Sequence, residues 1–252
     1  MIVITLLIII VLFVYVYRSA QIPRILNKVF MQEDGTLSGS HLPIHDEWEE
    51  MNTGYKVNYW SMKDCREYLQ KHFSPTHVET FDCIQAYAGK TNFFRYCVVY
   101  REGGWYSDWK QKCLVPSLLD TLSSGGRRWV SCWDRGNSDS IKMKCMQNAL
   151  FGAVPGSPIL KKAIDICIDH TKRKFYGTTP LQTTGVCVLG EAFGKTKYWV
   201  MNKNIGVFKD MMFSFNGKPV VKHKYDTNKT DSQDWSKGNN YSKLWENRKY
   251  YC

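Results

Sequence analysis

The longest apolar run in the chain covers residues 2–17 and reads IVITLLIIIVLFVYVY. It is just short of the roughly 20 residues that span a bilayer comfortably, but it lies within the working range. The polar and basic segment that starts at Arg18 contains no small-residue cleavage site of the kind that ends a removed signal peptide. We therefore expect an uncleaved membrane anchor over residues 1–18 and one folded domain over residues 19–252.

Beyond the anchor, apolar positions recur with the spacings of both strands and helices, which predicts an α/β domain. Alternating apolar residues predict a first strand within residues 21–33, and a turn followed by a second strand over residues 54–60. The segment 61–73 starts like a capping box and predicts a helix. A further short helix is expected over residues 81–88, and a buried strand over residues 129–133.

One stretch in the middle of the chain combines a helix, a stop signal and a strand that ends in a carboxylate. The helix is expected to begin at Thr91 or Asn92, whose side chains can cap a first turn. The pair Gly103–Gly104 ends it, because glycine takes the left-handed conformation that closes a helix. Residues 105–107 are then extended and lead to Asp108. In open α/β folds, sites form where strands end in this way.

The order of Arg95-Tyr96, Gly103-Gly104, Tyr106 and Asp108 resembles the motif of a known family. It is similar to the sugar-nucleotide transferases with a DXD motif, namely glycosyltransferase family 32 with its yeast mannosyltransferases, and the related capsular polysaccharide synthesis proteins. The resemblance implies a GT-A-like (Rossmann-like) catalytic domain with a mixed central sheet. It also implies transfer of a hexose from a UDP- or GDP-sugar donor to a glycan or polysaccharide acceptor, with retention of configuration.

The same resemblance assigns the site residues. Asp108 is expected to be the catalytic residue that binds donor hydroxyls, and to contact a divalent Mn²⁺ or Mg²⁺ ion. Arg95 is expected to orient the donor and Asp108. The expected substrate-binding residues are Asn92, Arg95, Tyr106, Asp108, Lys110, Asn148 and His223.

Two positions depart from the family pattern, since Asn92 and Lys110 stand where relatives have Asp. An ammonium cannot bind a cation and would repel one nearby, so three alternatives follow. Lys110 replaces the metal by neutralising the donor diphosphate. A metal is held by Asp108 with another residue, for example Asp134, Asp139 or His223. Or Lys110 points into solvent and the metal site is lost or shifted.

Charge and cysteine content bear on partners and compartment. The net charge of +11 favours solubility or attraction to an anionic membrane, and no nucleic-acid motif accompanies it. Nine scattered cysteines without metal-type spacing are typical of buried thiols rather than disulfides. With the basic residues after the anchor, they favour a cytosolic domain. The sequons at Asn228 and Asn240, and lumenal yeast relatives, leave the endoplasmic reticulum or Golgi lumen as the alternative.

Two other functions compete with catalysis. Asn92 and Lys110 fit a degenerate, non-catalytic sugar-binding membrane protein, and the basic charge fits a membrane-surface scaffold without a sugar site. No Gly-x-Ser-x-Gly, Walker or His-Glu-x-x-His sequence is present, which leaves hydrolase, NTPase and zinc-protease functions without support.

Overall fold

The computed structural model describes residues 21–31, 46–134, 144–195, 205–209, 212–223 and 239–252. The expected anchor over residues 1–18, Asp139 and Asn228 lie outside these ranges. Across the part of the chain that is described, every helix is too short or too polar to cross a membrane.

The described segments form nine strands and eight α-helices. The strands are β1 (Ile25–Val29), β2 (Lys56–Trp60), β3 (Gly104–Ser107), β4 (Gln111–Cys113), β5 (Trp129–Val130), β6 (Leu150–Ala153), β7 (Ile205–Lys209), β8 (Met212–Phe215) and β9 (Lys218–His223). The helices are α1 (Asp46–Met51), α2 (Met62–His72), α3 (Pro75–Cys83), α4 (Tyr87–Glu102), α5 (Leu118–Ser123), α6 (Pro158–Lys172), α7 (Val186–Lys195) and α8 (Tyr241–Glu246). A 3₁₀ helix at Pro180–Gln182 precedes α7.

The central sheet has the strand order β2-β1-β3-β6-β5. Strands β2, β1 and β3 are parallel, whereas β6 runs antiparallel to both β3 and β5. A second, antiparallel sheet has the order β4-β9-β8-β7. The prediction of a mixed α/β fold is confirmed. Strand β3, which leads to Asp108, is the middle strand of the central sheet.

Two hydrophobic clusters cover the two faces of the central sheet. Neighbouring residues of β3 point to opposite faces, so Tyr106 packs with Phe94 and Phe151, while Trp105 packs with Leu26 in the other cluster. This alternation directs Tyr106, and with it Asp108 two residues later, towards helix α4.

The pair Gly103–Gly104 ends α4 as predicted, although a ψ of −163° places Gly103 outside the left-handed helical region that was expected. Gly103 and Gly104 have backbone φ values of +69° and +90°, which L-residues with a side chain rarely adopt. A Cβ at Gly104 would lie 2.5 Å from the carbonyl oxygen of Ile25 in the neighbouring strand. Only glycine therefore lets the chain leave the helix and pair at once with β1.

The predicted start of α4 is wrong, and so is the predicted helix over residues 81–88. Helix α3 ends at Cys83, Ile84 pairs with Tyr251 in an isolated bridge, and α4 begins at Tyr87. The amide of Tyr87 is capped by Asn239 Oδ1 at 2.7 Å, a partner too distant in sequence for local patterns to reveal.

Helix α4 also contains a glycine in its first turn that contacts the C-terminal segment. A Cβ at Gly89 would lie 2.3 Å from the Tyr250 hydroxyl oxygen and 2.7 Å from a methyl carbon of Ile84. The missing side chain is what lets Tyr250 lie directly against the helix.

The expectation that the cysteines are all free thiols is wrong for four of them. Disulfides join Cys83 to Cys252 and Cys145 to Cys187. The five free cysteines of the described residues are all buried, as expected: Cys65, Cys97, Cys113, Cys132 and Cys167. The error arose because the paired cysteines are 169 and 42 residues apart, spacings that signal no pairing.

Candidate functional site

Asp108 lies immediately after β3, where the strand leaves the central sheet. Its amide donates to the carbonyl oxygen of Ala149 at 2.8 Å. Its Oδ1 accepts a hydrogen bond from the Tyr106 hydroxyl at 2.9 Å and lies 3.0 Å from Arg95 Nη2. The carboxylate is therefore fixed from the protein side, while 28% of its side chain stays exposed.

Arg95 lies in the middle of α4, with only 5% of its side chain exposed. Its Nη1 donates to the carbonyl oxygen of Asn148 at 2.6 Å, and its Cζ lies 4.1 Å from the centre of the Tyr106 ring. Burial opposes the charge, but Tyr106 and Asp108 outweigh it and raise the pKa of Arg95 above its ordinary value. A planar guanidinium held by several contacts orients a carboxylate better than a flexible ammonium would.

A cavity of about 390 Å³ opens beside Asp108. Five of the residues predicted from the sequence line it together: Asn92, Arg95, Asp108, Asn148 and His223. They come from α4, from the ends of β3 and β9, and from the segment that leads into β6. The fold thus brings together residues that are more than a hundred positions apart.

The other two predicted residues lie near the cavity but not in its lining. Tyr106 is buried beneath Asp108 and acts on it through its hydroxyl group. Lys110 lies, partly buried, in the turn after Asp108 and is not among the described residues that line the cavity. The functional roles of all seven residues stay predictions.

A chain of neutral hydrogen bonds connects several residues of the cavity lining. The Asn148 Nδ2 donates to Asn92 Oδ1 at 3.0 Å and to the Tyr96 hydroxyl at 2.9 Å. Asn92 Nδ2 in turn donates to Thr184 Oγ1 at 3.3 Å, which lies 2.8 Å from the Tyr250 hydroxyl. The Asn92 amide therefore links α4 to the C-terminal segment through Thr184.

Sequence reasoning missed Gln147, Tyr241 and Tyr250 in the lining, whereas it named Asp134 as an alternative metal ligand. Gln147 donates from Nε2 to Asp134 Oδ2 at 2.7 Å, and both residues line the cavity with Tyr241 and Tyr250. Gln147 is adjacent to the predicted Asn148, which is a usable signal, whereas nothing in the local pattern indicates the two tyrosines. They reach the cavity because the C-terminal segment folds back over α4.

The described residues do not form a metal site of the DXD kind. The second position of the motif is Lys110, and one oxygen of Asp108 already contacts both Arg95 and Tyr106. Within the described ranges, no three His, Cys, Asp or Glu side chains lie close enough together to hold a metal ion. Asp134 and His223 share the cavity with Asp108, but the three do not converge into a ligand set.

Part of the chain is similar to a known family. The family described as "Glycosyltransferase sugar-binding region containing DXD motif" matches residues 40–124, which include Arg95 and Asp108. A protein of Acanthamoeba polyphaga mimivirus, described as an uncharacterized glycosyltransferase, is 29% identical over 104 residues. That match covers 41% of this chain and 41% of the relative, so the chain matches less than half of the relative's length.

A solved structure has a similar fold. The PaToxG Glycosyltransferase aligns with a TM-score of 0.51 and 14% identity, over 73% of this chain and 76% of that chain. At this level of identity the likeness concerns the fold alone.

Proposed function

We propose that this protein is a DXD-motif glycosyltransferase that transfers a hexose from a nucleotide-sugar donor to a glycan hydroxyl. The premise is the match of residues 40–124 to the sugar-binding region of that family. The proposal includes a GT-A-like domain and retention of configuration. The observation that carries it is the placement of Asp108, which lies at the end of β3, borders the cavity and is ion-paired to the buried Arg95.

In this proposal Asp108 binds and orients the donor. Since Oδ1 is engaged by Arg95 and Tyr106, the exposed part of the carboxylate accepts hydrogen bonds from ribose and sugar hydroxyls. A carboxylate fixed before the ligand arrives contributes to catalysis by orientation, because little freedom is lost on binding. No side chain is assigned as a general base.

We further propose that protein cations, rather than a DXD-type metal, balance the charge that develops on the leaving diphosphate. Arg95 is ion-paired to Asp108, and Lys110 follows Asp108 by two residues, in the turn after it. Preorganised charge stabilises a developing anion. Turnover is then expected to persist in EDTA. The variant Lys110→Asp, which recreates the second Asp of the motif, is expected to make turnover depend on added Mn²⁺. Loss of wild-type turnover in EDTA would contradict this proposal.

The apolar run over residues 2–17 supports a proposed single membrane anchor, and the two disulfides support a lumenal rather than cytosolic domain, since disulfides persist mainly in oxidising compartments. Protease protection of the domain in sealed microsomes is the expected result. Cleavage without detergent would favour the cytosolic side.

The function is tested by incubating the full-length protein in detergent with a panel of UDP- and GDP-sugars and measuring donor hydrolysis and transfer. Asp108→Asn is expected to lower turnover by about 10²–10³-fold. The matched control is Asp120→Asn, because Asp120 also pairs with an arginine and a tyrosine, Arg24 and Tyr55, but lies outside the cavity.

Each competing function gives a different result in the same assay. Donor binding without turnover would indicate a degenerate sugar-binding protein, and absence of donor binding would indicate a scaffold. Equal turnover by Asp108→Asn and Asp120→Asn would contradict the role given to Asp108.

A further inference from the structure

Lys28 is a fully buried lysine beneath the candidate site. It lies in β1 with no exposed surface, and its Nζ lies 5.2 Å from the centre of the Trp48 ring. Burial lowers the pKa of Lys28 to about 7, although the nearby Asp108 raises it in part. Lysines are almost never fully buried without a partner, so the contacts of this one are informative.

The hydrogen bonds of Lys28 lie on the face of the central sheet opposite Arg95. They form a series that ends at His223, which lines the cavity. Lys28 Nζ donates to the carbonyl oxygen of Asp108 at 3.1 Å and lies 3.5 Å from Ser107 Oγ. Ser107 Oγ donates to Gln111 Oε1 at 2.7 Å. Gln111 Nε2 lies 3.1 Å from Nδ1 of the cavity residue His223.

The contact between Gln111 and His223 is supported by the second sheet. Gln111 and His223 are paired across β4 and β9, and the Gln111 carbonyl oxygen accepts a hydrogen bond from Trp48 Nε1 at 2.7 Å. The backbone of Gln111 is therefore held in place, and its side-chain amide lies between Ser107 and His223.

The amide oxygen of Gln111 can only accept, and its contact with the Ser107 hydroxyl gives the series a direction. Lys28 Nζ has hydrogens to donate to Ser107 whether it is charged or neutral. The Ser107 hydroxyl also lies 3.3 Å from the Asp108 carbonyl oxygen, but Lys28 already donates to that oxygen and Gln111 Oε1 is nearer, so the hydroxyl hydrogen is directed to Gln111 Oε1. The amide nitrogen of Gln111 then faces His223 and donates to Nδ1. A neutral imidazole that accepts at Nδ1 carries its hydrogen on Nε2.

We propose that Lys28, Ser107 and Gln111 are positioning residues that set the tautomer of His223, a residue of the cavity lining, so that its hydrogen lies on Nε2. Given the proposed function, a donor of this kind suits an anionic oxygen of the nucleoside diphosphate. Lys28 also donates to the backbone of Asp108, so one buried side chain acts on two residues that line the cavity.

The tautomer is measured directly on the full-length protein by two-bond ¹H–¹⁵N correlation spectra with ¹⁵N-histidine labelling, at about pH 8, where an ordinary imidazole is neutral. The signals of His223 are identified by their loss in His223→Gln. Wild type is expected to show the hydrogen on Nε2. Lys28→Met and Ser107→Ala are expected to give a mixture of tautomers, and Gln111→Glu is expected to move the hydrogen to Nδ1.

Lys90→Met is the control, because Lys90 is also buried but donates to α3; its spectrum at His223 should match wild type. A wild-type hydrogen on Nδ1, or an unchanged tautomer in both Lys28→Met and Ser107→Ala, overturns the proposal. If Lys28→Met does not fold, Ser107→Ala and Gln111→Glu decide, and an Nε2 hydrogen retained in both of them overturns it.

A second readout separates this inference from the proposed function. Whichever of UDP or GDP binds wild type is expected to bind Lys28→Met about two- to tenfold more weakly, the loss of one hydrogen bond. If neither nucleotide binds, the proposed function fails while the tautomer result still stands. Unchanged nucleotide affinity with an altered tautomer overturns the link between His223 and the ligand.

Discussion

The two walls of the cavity are built in opposite ways. The motif wall consists of Asn92, Arg95 and Asp108, which lie within a single helix-turn-strand segment. The distal wall consists of His223, Tyr241 and Tyr250, which reach the cavity through the second sheet, the helix α8 and the disulfide between Cys83 and Cys252. The first wall depends on local structure, and the second depends on long-range contacts.

The chemistry of the walls differs in the same sense. The motif wall contains a charged pair with a buried arginine, Arg95 and Asp108. In the distal wall, the hydrogen bonds of Tyr250 with Thr184 and of His223 with Gln111 join neutral partners or an imidazole. We therefore expect changes in the motif wall to have large effects and single hydrogen-bond changes in the distal wall to have small ones.

The largest effect is expected for Arg95→Met. It leaves the Asp108 carboxylate without its partner in a mostly buried setting, which should lower the free energy of unfolding by about 3–5 kcal/mol. Urea denaturation measures it. Arg66→Met is the control, because Arg66 also pairs with an aspartate, Asp82, but both side chains are about half exposed; its cost should stay below about 1 kcal/mol. Equal costs would show that burial does not strengthen the Arg95–Asp108 pair.

The disulfides test the long-range assembly of the distal wall. Replacing both Cys83 and Cys252 by Ser should lower the free energy of unfolding by about 2–5 kcal/mol, measured without reductant. The same change at Cys145 and Cys187 should cost about 1 kcal/mol less, because its loop of 42 residues is shorter than the loop of 169. A larger cost for the shorter loop would show that the C-terminal segment is held mainly by its other contacts.

The pH dependence of stability tests the contact between α4 and the end of α3, next to the disulfide of Cys83 and Cys252. Lys90 on α4 donates to the carbonyl oxygens of Phe81 and Asp82, next to Cys83. Burial lowers the pKa of Lys90 to about 8, from the value of 10.5 that an exposed lysine has. Between these values the unfolded chain binds one proton more, so stability rises with pH and falls as the pH drops towards 8.

In Lys90→Met this contribution is missing. The difference in the free energy of unfolding between wild type and variant should therefore change by up to about 1.4 kcal/mol per pH unit near pH 9, in favour of wild type as the pH rises. Denaturation at several pH values from about 7 to 10 gives the slope. Parallel pH profiles of the two proteins would show that Lys90 keeps an ordinary pKa.

The smallest effect is expected for Tyr250→Phe, which removes the hydroxyl that contacts Thr184. The cost to the free energy of unfolding should be about 1 kcal/mol. Tyr251→Phe is the control, since Tyr251 also loses one hydrogen bond, to Phe175, but does not line the cavity. Its stability loss should be similar, and only Tyr250→Phe should alter donor turnover. Equal turnover in both variants would remove Tyr250 from the functional site.

The motif wall could be predicted from the sequence because its signals are local. The glycine pair has to end the helix, and the aromatic strand after it has to deliver Asp108, whatever the rest of the chain does. The start of α4 could not be predicted in the same way, since its cap is Asn239, and the disulfides join cysteines without recognisable spacing. His223 was found only through the family resemblance, and Tyr241 and Tyr250 had no signal at all.

Gly89 gives this arrangement an unusual sensitivity. Its missing side chain leaves the room that the Tyr250 hydroxyl occupies, and that hydroxyl reaches Asn92 through Thr184. A single methyl group added at this helix position would push the tyrosine aside and disturb both halves of the pocket at once. The change Gly89→Ala would thus affect the pocket at a distance from Asp108, although glycine itself has no side chain that could take part in the chemistry.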